Sequence, residues 1–214
     1  MEARVCVLAG DGVGEEVTQE SMKVLEAICR KFDHNFEFIH ALVGGAAIDK
    51  FNNPLPPESM NLALGSDAIL FGAVGGPKWD NPSADVRPED AILALRKRLG
   101  LYANMRPVKV YPELLHSSPL KPEFLEGVDF VIVRELTGGL YFGRPKRRSA
   151  STRGRRAVDT LAYSEKEIAR VVRVAFELAK SRRQRLHSLD KMNVLETGRL
   201  WREIANEVSR DYPE

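Results

Sequence analysis

Apolar positions in this chain switch repeatedly between two rhythms. Residues 4–8 form a short apolar run, ended by Gly10-Asp11-Gly12-Val13-Gly14. A 3.6-residue pattern follows, with Val17, Val24, Leu25, Ile28 and Phe32 on one face, which predicts a helix. Phe36–Ala41 reads as a second strand. Prolines 54, 56 and 57 punctuate the chain before a short helix near Ser59–Leu64. Ala68–Val74 is an unbroken apolar run, expected of a strand buried on both faces. Pro88 suits the first position of a helix carrying Ile92, Leu95 and Leu99, and Gly100 suits its stop. Val128–Val133 predicts another strand. Ser164 and Glu167 form a capping box ahead of Ile168, Val171, Val172, Ala175 and Phe176. Arg185–Leu189 predicts a short strand, and Leu195, Leu200, Trp201, Ile204 and Val208 a last amphipathic helix. Strands alternating with helices imply an α/β fold with a largely parallel sheet.

Composition narrows the function classes. Apolar residues make up 43% and charged residues 29% of the 214, the balance of a globular protein. No uncharged stretch reaches the ~18 residues of a membrane span, and no signal peptide precedes the first strand, which predicts a cytoplasmic protein. Cys6 and Cys29 fall in apolar patterns and read as reduced core residues. The four histidines show no metal spacing. Net charge is only +2, but residues 144–156 hold seven basic side chains and no acidic one. Residues 180–185 add four more, so the rest of the chain is acidic. Such a segment can bind nucleic acid. Without interleaved aromatics, a solvated loop and a cationic helix end are the favoured reading.

Several residues have the chemistry of a site. The glycine-rich turn at 10–14 joins a strand to a helix and can aim backbone N–H groups at an anion, although its spacing is not that of a dinucleotide fingerprint. Gly72 and Gly75-Gly76-Pro77 form a second loop at a strand's carboxyl end, where open α/β sheets bind ligands. Arg96, Arg106 and Arg134 stand at element junctions. Planar guanidinium forks suit carboxylates, so the trio suggests a small dicarboxylate, with structural ion pairs as the alternative for any one of them. Tyr141 follows a Thr-Gly-Gly turn, and Lys191 follows the strand predicted at 185–189. A tyrosine can donate a proton, and a lysine of lowered pKa can accept one.

Five stretches, GDGVGEEV (10–17), GAVGGPKW (72–79), LRKRLGLYANMRPVK (95–109), VRELTGGLYFG (133–143) and DKMNVLETGRLWRE (190–203), recur in an order that resembles the β-decarboxylating dehydrogenase family. The resemblance implies two α/β domains, at 1–99 and 100–214, with a dimer-forming arm near 142–160. It implies a site in the cleft between domains and a homodimer that shares its sites. The family reaction nearest the motifs is oxidation of 3-isopropylmalate by NAD and loss of carbon dioxide, giving 4-methyl-2-oxopentanoate for leucine synthesis. By the resemblance Arg96, Arg106 and Arg134 bind the substrate carboxylates. Lys191 looks like the base that takes the hydroxyl proton, acting in the partner's site, and Tyr141 like the acid that protonates the enolate carbon. Gly76–Glu89, including both end residues, resembles the nicotinamide-side loop, with Val13 near the same ring.

Ile92 lies four residues before Arg96, where isocitrate relatives place a polar residue. An apolar side chain suits an isopropyl group, while isocitrate, tartrate and malate relatives remain the alternatives. Glu15, Met192 and Leu189 depart from the family pattern. The family also continues for well over a hundred residues past the position of Glu214, and that part carries its Mg2+ or Mn2+ aspartates and adenosine-binding loop. The expectations are therefore an incomplete first domain of marginal stability, no metal ligand within these residues, and an inactive fragment as the non-enzymatic alternative.

Overall fold

A computed structural model describes residues 1–81 and 84–213. The chain divides into two compact units, Met1–Leu99 and Gly100–Glu214. The first contains strands β1 (Glu2–Gly10), β2 (Asn35–His40) and β3 (Ala68–Ala73), with helices α1 (Val13–Phe32), α2 (Gly45–Phe51), α3 (Pro57–Leu64) and α4 (Glu89–Leu99). Its sheet is parallel, in the order β2-β1-β3. β1 is therefore the central strand, and Val5, Cys6, Val7 and Leu8 are all buried in succession. The run expected to be buried on both faces, at 68–74, is only half-buried, because β3 has a single neighbour among the described strands. Cys6, Leu8, Val43, Leu55, Ala63, Ala91 and Leu95 form the core of this unit. Burial raises the pKa of the Cys6 thiol, in keeping with an inert core residue.

α1 packs differently from its apolar pattern. Its buried positions are Gly14 and Thr18, while Val17, Val24 and Phe32 are exposed. The helix approaches the sheet so closely at Gly14 that a Cβ there would collide with the backbone of Ala9 and Ala73.

The second unit holds β4 (Ala103–Lys109), β5 (Asp129–Glu135), the hairpin strands β6 (Arg147–Ser151) and β7 (Gly154–Val158), and helices α5 (Glu165–Lys180) and α6 (Glu196–Ser209). Here the strands pair two by two. β4–β5 and β6–β7 are both antiparallel, the latter joined by a tight turn that parallel strands could not use. The fold is α/β with one parallel sheet and antiparallel pairs. The expected strand at Arg185–Leu189 does not form. No described strand offers it a hydrogen-bonding partner, and Leu189 stands 87% exposed. The capping box forms as expected, with Ser164 accepting from the Glu167 N–H while the Glu167 carboxylate accepts from the Ser164 N–H at 2.7 Å. Ile168, Val171 and Val172 of α5 pack on Ile204, Ala205 and Val208 of α6, with Ala103 and Val133 beneath them. Among the described residues no helix is long and apolar enough to cross a membrane.

Candidate active site

In the first unit the site residues sit where strands end and helices begin. β1 runs into Gly10, whose φ of +83° and contact with the Ala73 carbonyl leave no room for a side chain. Asp11 then turns inward and is only 4% exposed. Its carboxylate accepts from the N–H of Gly45 and of Ala46, both at 2.6 Å, and from the N–H of Gly75 at 3.2 Å. Val13 opens α1 and is exposed, beside Gly12, which lies against the carbonyl of Gly75.

A pocket of about 300 Å³ lies between Gly75, Gly76, Trp79, Asp80, Arg87 and Glu89, at the small end of the ~300–1,000 Å³ usual for ligand sites. Trp79 is fixed from α2: its Nε1 donates to Asp49 at 3.2 Å and its ring covers Gly45. Lys78 also pairs with Asp49 at 2.6 Å, and this bond lowers the Asp49 pKa. Pro82 and Ser83, within the expected Gly76–Glu89 loop, lie outside the described residues. α4 separates two stripes. Ala91 and Leu95 are buried in the core, while Glu89, Ile92 and Arg96 line the adjacent face at i, i+3 and i+7.

The second unit gathers another group. In the β4–β5 ladder Asn104 opposes Arg134 and Arg106 opposes Ile132, so both arginines project from one face. They are diagonal neighbours, about 7–8 Å apart by the geometry of such ladders. Arg106 Nε donates to Asn104 at 2.7 Å, and the Arg134 guanidinium stacks 5.4 Å from the centre of the Tyr141 ring. Tyr141 closes a 3-10 turn, Gly139–Tyr141. Gly139 has φ +73° and lies under the Tyr163 hydroxyl, leaving no space for a Cβ.

Glu135 points to the opposite face and holds this turn. Its carboxylate accepts from the N–H of Thr137 and of Gly138, each at 2.7 Å, from the Thr137 hydroxyl at 2.8 Å, and from Arg170 at 2.6 Å. The Arg170 guanidinium lies 4.5 Å from the Tyr102 ring centre. Tyr163, partly buried and near the Glu135 charge, has its pKa raised, chiefly by desolvation.

Lys191 is exposed on a loop rather than at a strand end. Asp190, before it, binds Arg202 of α6 at 2.9 Å and the Met192 N–H at 3.0 Å. The Arg202 bond, then the Met192 N–H, lowers the Asp190 pKa. Gly198 of α6 packs directly on the Lys191 backbone. The basic segment forms the β6–β7 hairpin, whose residues are largely exposed.

Sequence reasoning missed Asp11, Glu135 with Arg170, and Asp190 with Arg202. Their signal was available for Asp11 alone, as a charged residue between two glycines inside an apolar turn. The others depend on contacts across 35 and 12 positions of chain.

Solved structures place this arrangement in a class. The chain superposes on a β-decarboxylating dehydrogenase from Thermococcus kodakarensis with a TM-score of 0.69, at 32% identity, covering 97% of this chain and 55% of that one. It superposes on an isocitrate dehydrogenase from Methylococcus capsulatus with a TM-score of 0.77, at 26% identity over 98% of this chain and 57% of that one. These likenesses give the chain the α/β fold of those dehydrogenases. The chain belongs to the isocitrate/isopropylmalate dehydrogenase family, which it matches over residues 4–214. It is 54% identical over 214 residues to the 3-isopropylmalate dehydrogenase of Priestia megaterium and 52% identical over 215 to that of Bacillus subtilis. It spans all of its own length in these matches but only 58% and 59% of those relatives.

Proposed function

We propose that this chain carries the substrate arginines, the proton-transfer residues and the nicotinamide-side loop of an NAD-dependent 3-isopropylmalate dehydrogenase. The supporting observation is the shared face of Arg106 and Arg134, with the Tyr141 ring stacked on Arg134. Two fixed cations beside a phenol suit a dicarboxylate that must gain a proton.

In this reading Arg96, Arg106 and Arg134 hold the two carboxylates of 3-isopropylmalate. Ile92, one turn before Arg96, offers an alkyl surface to the isopropyl group and no partner to a third carboxylate. Lys191 takes the hydroxyl proton as the adjacent carbon loses its hydride, and it serves the partner subunit's site in a homodimer. NAD, when bound, accepts that hydride. Carbon dioxide then leaves, its bonding electrons forming an enolate. The Tyr141 phenol protonates the enolate carbon to give 4-methyl-2-oxopentanoate, the step toward leucine.

Glu89, Gly76 and Val13 fit the nicotinamide end of the cofactor, since a carboxylate complements its cationic ring and Val13 gives it apolar surface. Mg2+ or Mn2+ is the family's metal. Among the described residues no group of three His, Cys, Asp or Glu could hold such an ion, so these steps are confined to the side chains named. The reading places the protein in the cytoplasm, with the β6–β7 hairpin as a subunit arm and not a nucleic-acid site.

The test incubates the full-length protein with 3-isopropylmalate, NAD and Mn2+. NADH and 4-methyl-2-oxopentanoate should form in equal amounts. NADH from isocitrate, tartrate or malate instead would move the assignment to another branch, and none from any of them would end it.

A further inference from the structure

Asp11 is buried, charged and absent from the chemistry above. Its carboxylate joins three segments of the first unit: the turn into α1, the start of α2 and the loop after β3. Four observations fix its role. It accepts from the N–H groups of Gly45, Ala46 and Gly75. Its own N–H donates to the Ala73 carbonyl at 2.7 Å and its carbonyl accepts from the Gly14 N–H at 2.9 Å, so its backbone is equally constrained. Gly44 packs on its carboxylate so closely that a Cβ would collide with it. Finally, α2, which the carboxylate holds at its first turn, in turn carries Gly45 and Asp49, the two contacts that fix Trp79 in the pocket wall.

We propose that Asp11 is a positioning residue that sets the Gly75–Gly76 backbone and the Trp79 wall for the nicotinamide end of NAD, an inference that rests on the dehydrogenase reading. The physical reason is the donor count. Three convergent N–H groups demand acceptor oxygens on both sides of the side chain, which only a carboxylate supplies. An amide of the same shape must turn an NH2 toward at least one of those N–H groups, leaving it buried without an acceptor. Gly45 and Gly75 share Oδ2 while Ala46 binds Oδ1, so an amide whose oxygen stays on the shared side frees the Ala46 N–H in the first turn of α2, the helix that fixes Trp79, and loss of both oxygens frees Gly75 as well. The consequence is confined to the cofactor. Arg96 lies on α4, which none of these bonds reaches.

The test compares wild-type full-length protein with Asp11→Asn and Asp11→Ala. In Asp11→Asn, KM for NAD should rise about tenfold or more while KM for 3-isopropylmalate changes less than about twofold. Without cofactor, Trp79 emission should shift in both variants and the Gly75 amide of Asp11→Ala should exchange with solvent faster, since both follow the bracket and not turnover. In Asp11→Ala, formate should lower KM for NAD again by filling the vacated N–H cradle, an effect that general destabilisation does not produce. Should Asp11→Asn fail to fold, Asp11→Ser retains one acceptor and is read by the same split.

An unchanged KM for NAD overturns the proposal, as does a parallel rise of both KM values without formate rescue. If the wild-type protein reduces no NAD with any substrate, the dehydrogenase reading falls. The proposal for Asp11 as a cofactor-positioning residue falls with it, and Gly75 exchange then reports only a structural bracket.

Discussion

The two units place their polar site residues on opposite kinds of scaffold. In the first, the central strand of a parallel sheet is buried in succession from Val5 to Leu8, and the loops of the candidate site emerge at the strand ends. In the second, α5 and α6 pack with Ala103 and Val133 on one face of β4–β5. The other carries Arg106 and Arg134 beside Phe130 and Ile132, which are 47% and 46% exposed. A parallel sheet offers ligands its loop ends, because its faces are needed for packing. A one-sided antiparallel pair can offer a face. Both units anchor the segment next to a candidate residue with a carboxylate on backbone N–H groups: Asp11 near Val13, Glu135 near Tyr141 and Asp190 near Lys191.

The largest test of this contrast is Leu8→Ala. Leu8 has no exposure in a strand flanked on both edges, so its site cannot collapse, and the loss should be about 4 kcal/mol. A denaturant titration of this chain measures it, and a loss near zero would mean that the parallel sheet is not the core of its unit. Glu135→Ala comes next. It strands Arg170 and two backbone N–H groups, but Arg170 keeps about a third of its side chain in water. The expected loss is therefore about 3 kcal/mol, the lower end for breaking a buried pair. A Tyr141 ring that stays over Arg134 in this variant, seen by NMR, would show that Glu135 does not hold the turn.

Asp190 supplies a pH test of the same anchoring. Its pKa is lowered in the folded chain by Arg202 and the Met192 N–H. A depressed folded value means that the stabilisation is complete above the ordinary Asp value of about 3.9 and is lost only as pH falls through the lower folded value. The Met192 amide should stay protected from neutral pH down past that value. Opening of the loop with a midpoint at or above it would contradict the pairing. Smaller again is Ser164→Ala, which removes the α5 cap and should cost about 1 kcal/mol in thermal unfolding.

What the sequence made legible follows the range of the interactions. The capping box at Ser164 and Glu167, the strand at 129–135 and the stop at Gly100 rest on neighbours within a few positions, and all were readable. The helix carrying Ile92, Leu95 and Leu99 was readable for the same reason, though only Leu95 of the three is fully buried. The face of α1 was not, because Gly14 and Thr18 pack on the sheet only through a close backbone approach that periodicity does not encode. The strand expected at 185–189 failed because a strand is a pairing and not a composition. The motifs marked Arg134, Tyr141 and Lys191, but the anchors Arg170 and Arg202 come from helices whose charged positions look like ordinary solvated faces.

The smallest expected effect is the sharpest test of the open face. Ile132 opposes Arg106 on β5 and lies between Phe130 and Arg134 on the same side. Were this face part of the packed core, Ile132→Ser would cost several kcal/mol through lost burial and an unpaired hydroxyl. With 46% of the residue already in water, the change should stay within about 0.5 kcal/mol in the denaturant titration that registers Leu8→Ala. The β4–β5 ladder also survives it, because the backbone bonds that set its register involve no side chain. Ile132→Ser should leave the Arg134–Tyr141 stack in place, so any change it brings to 3-isopropylmalate binding would come from the face itself. A loss as large as that of Leu8→Ala would erase the distinction between a unit that presents loop ends and one that presents a face.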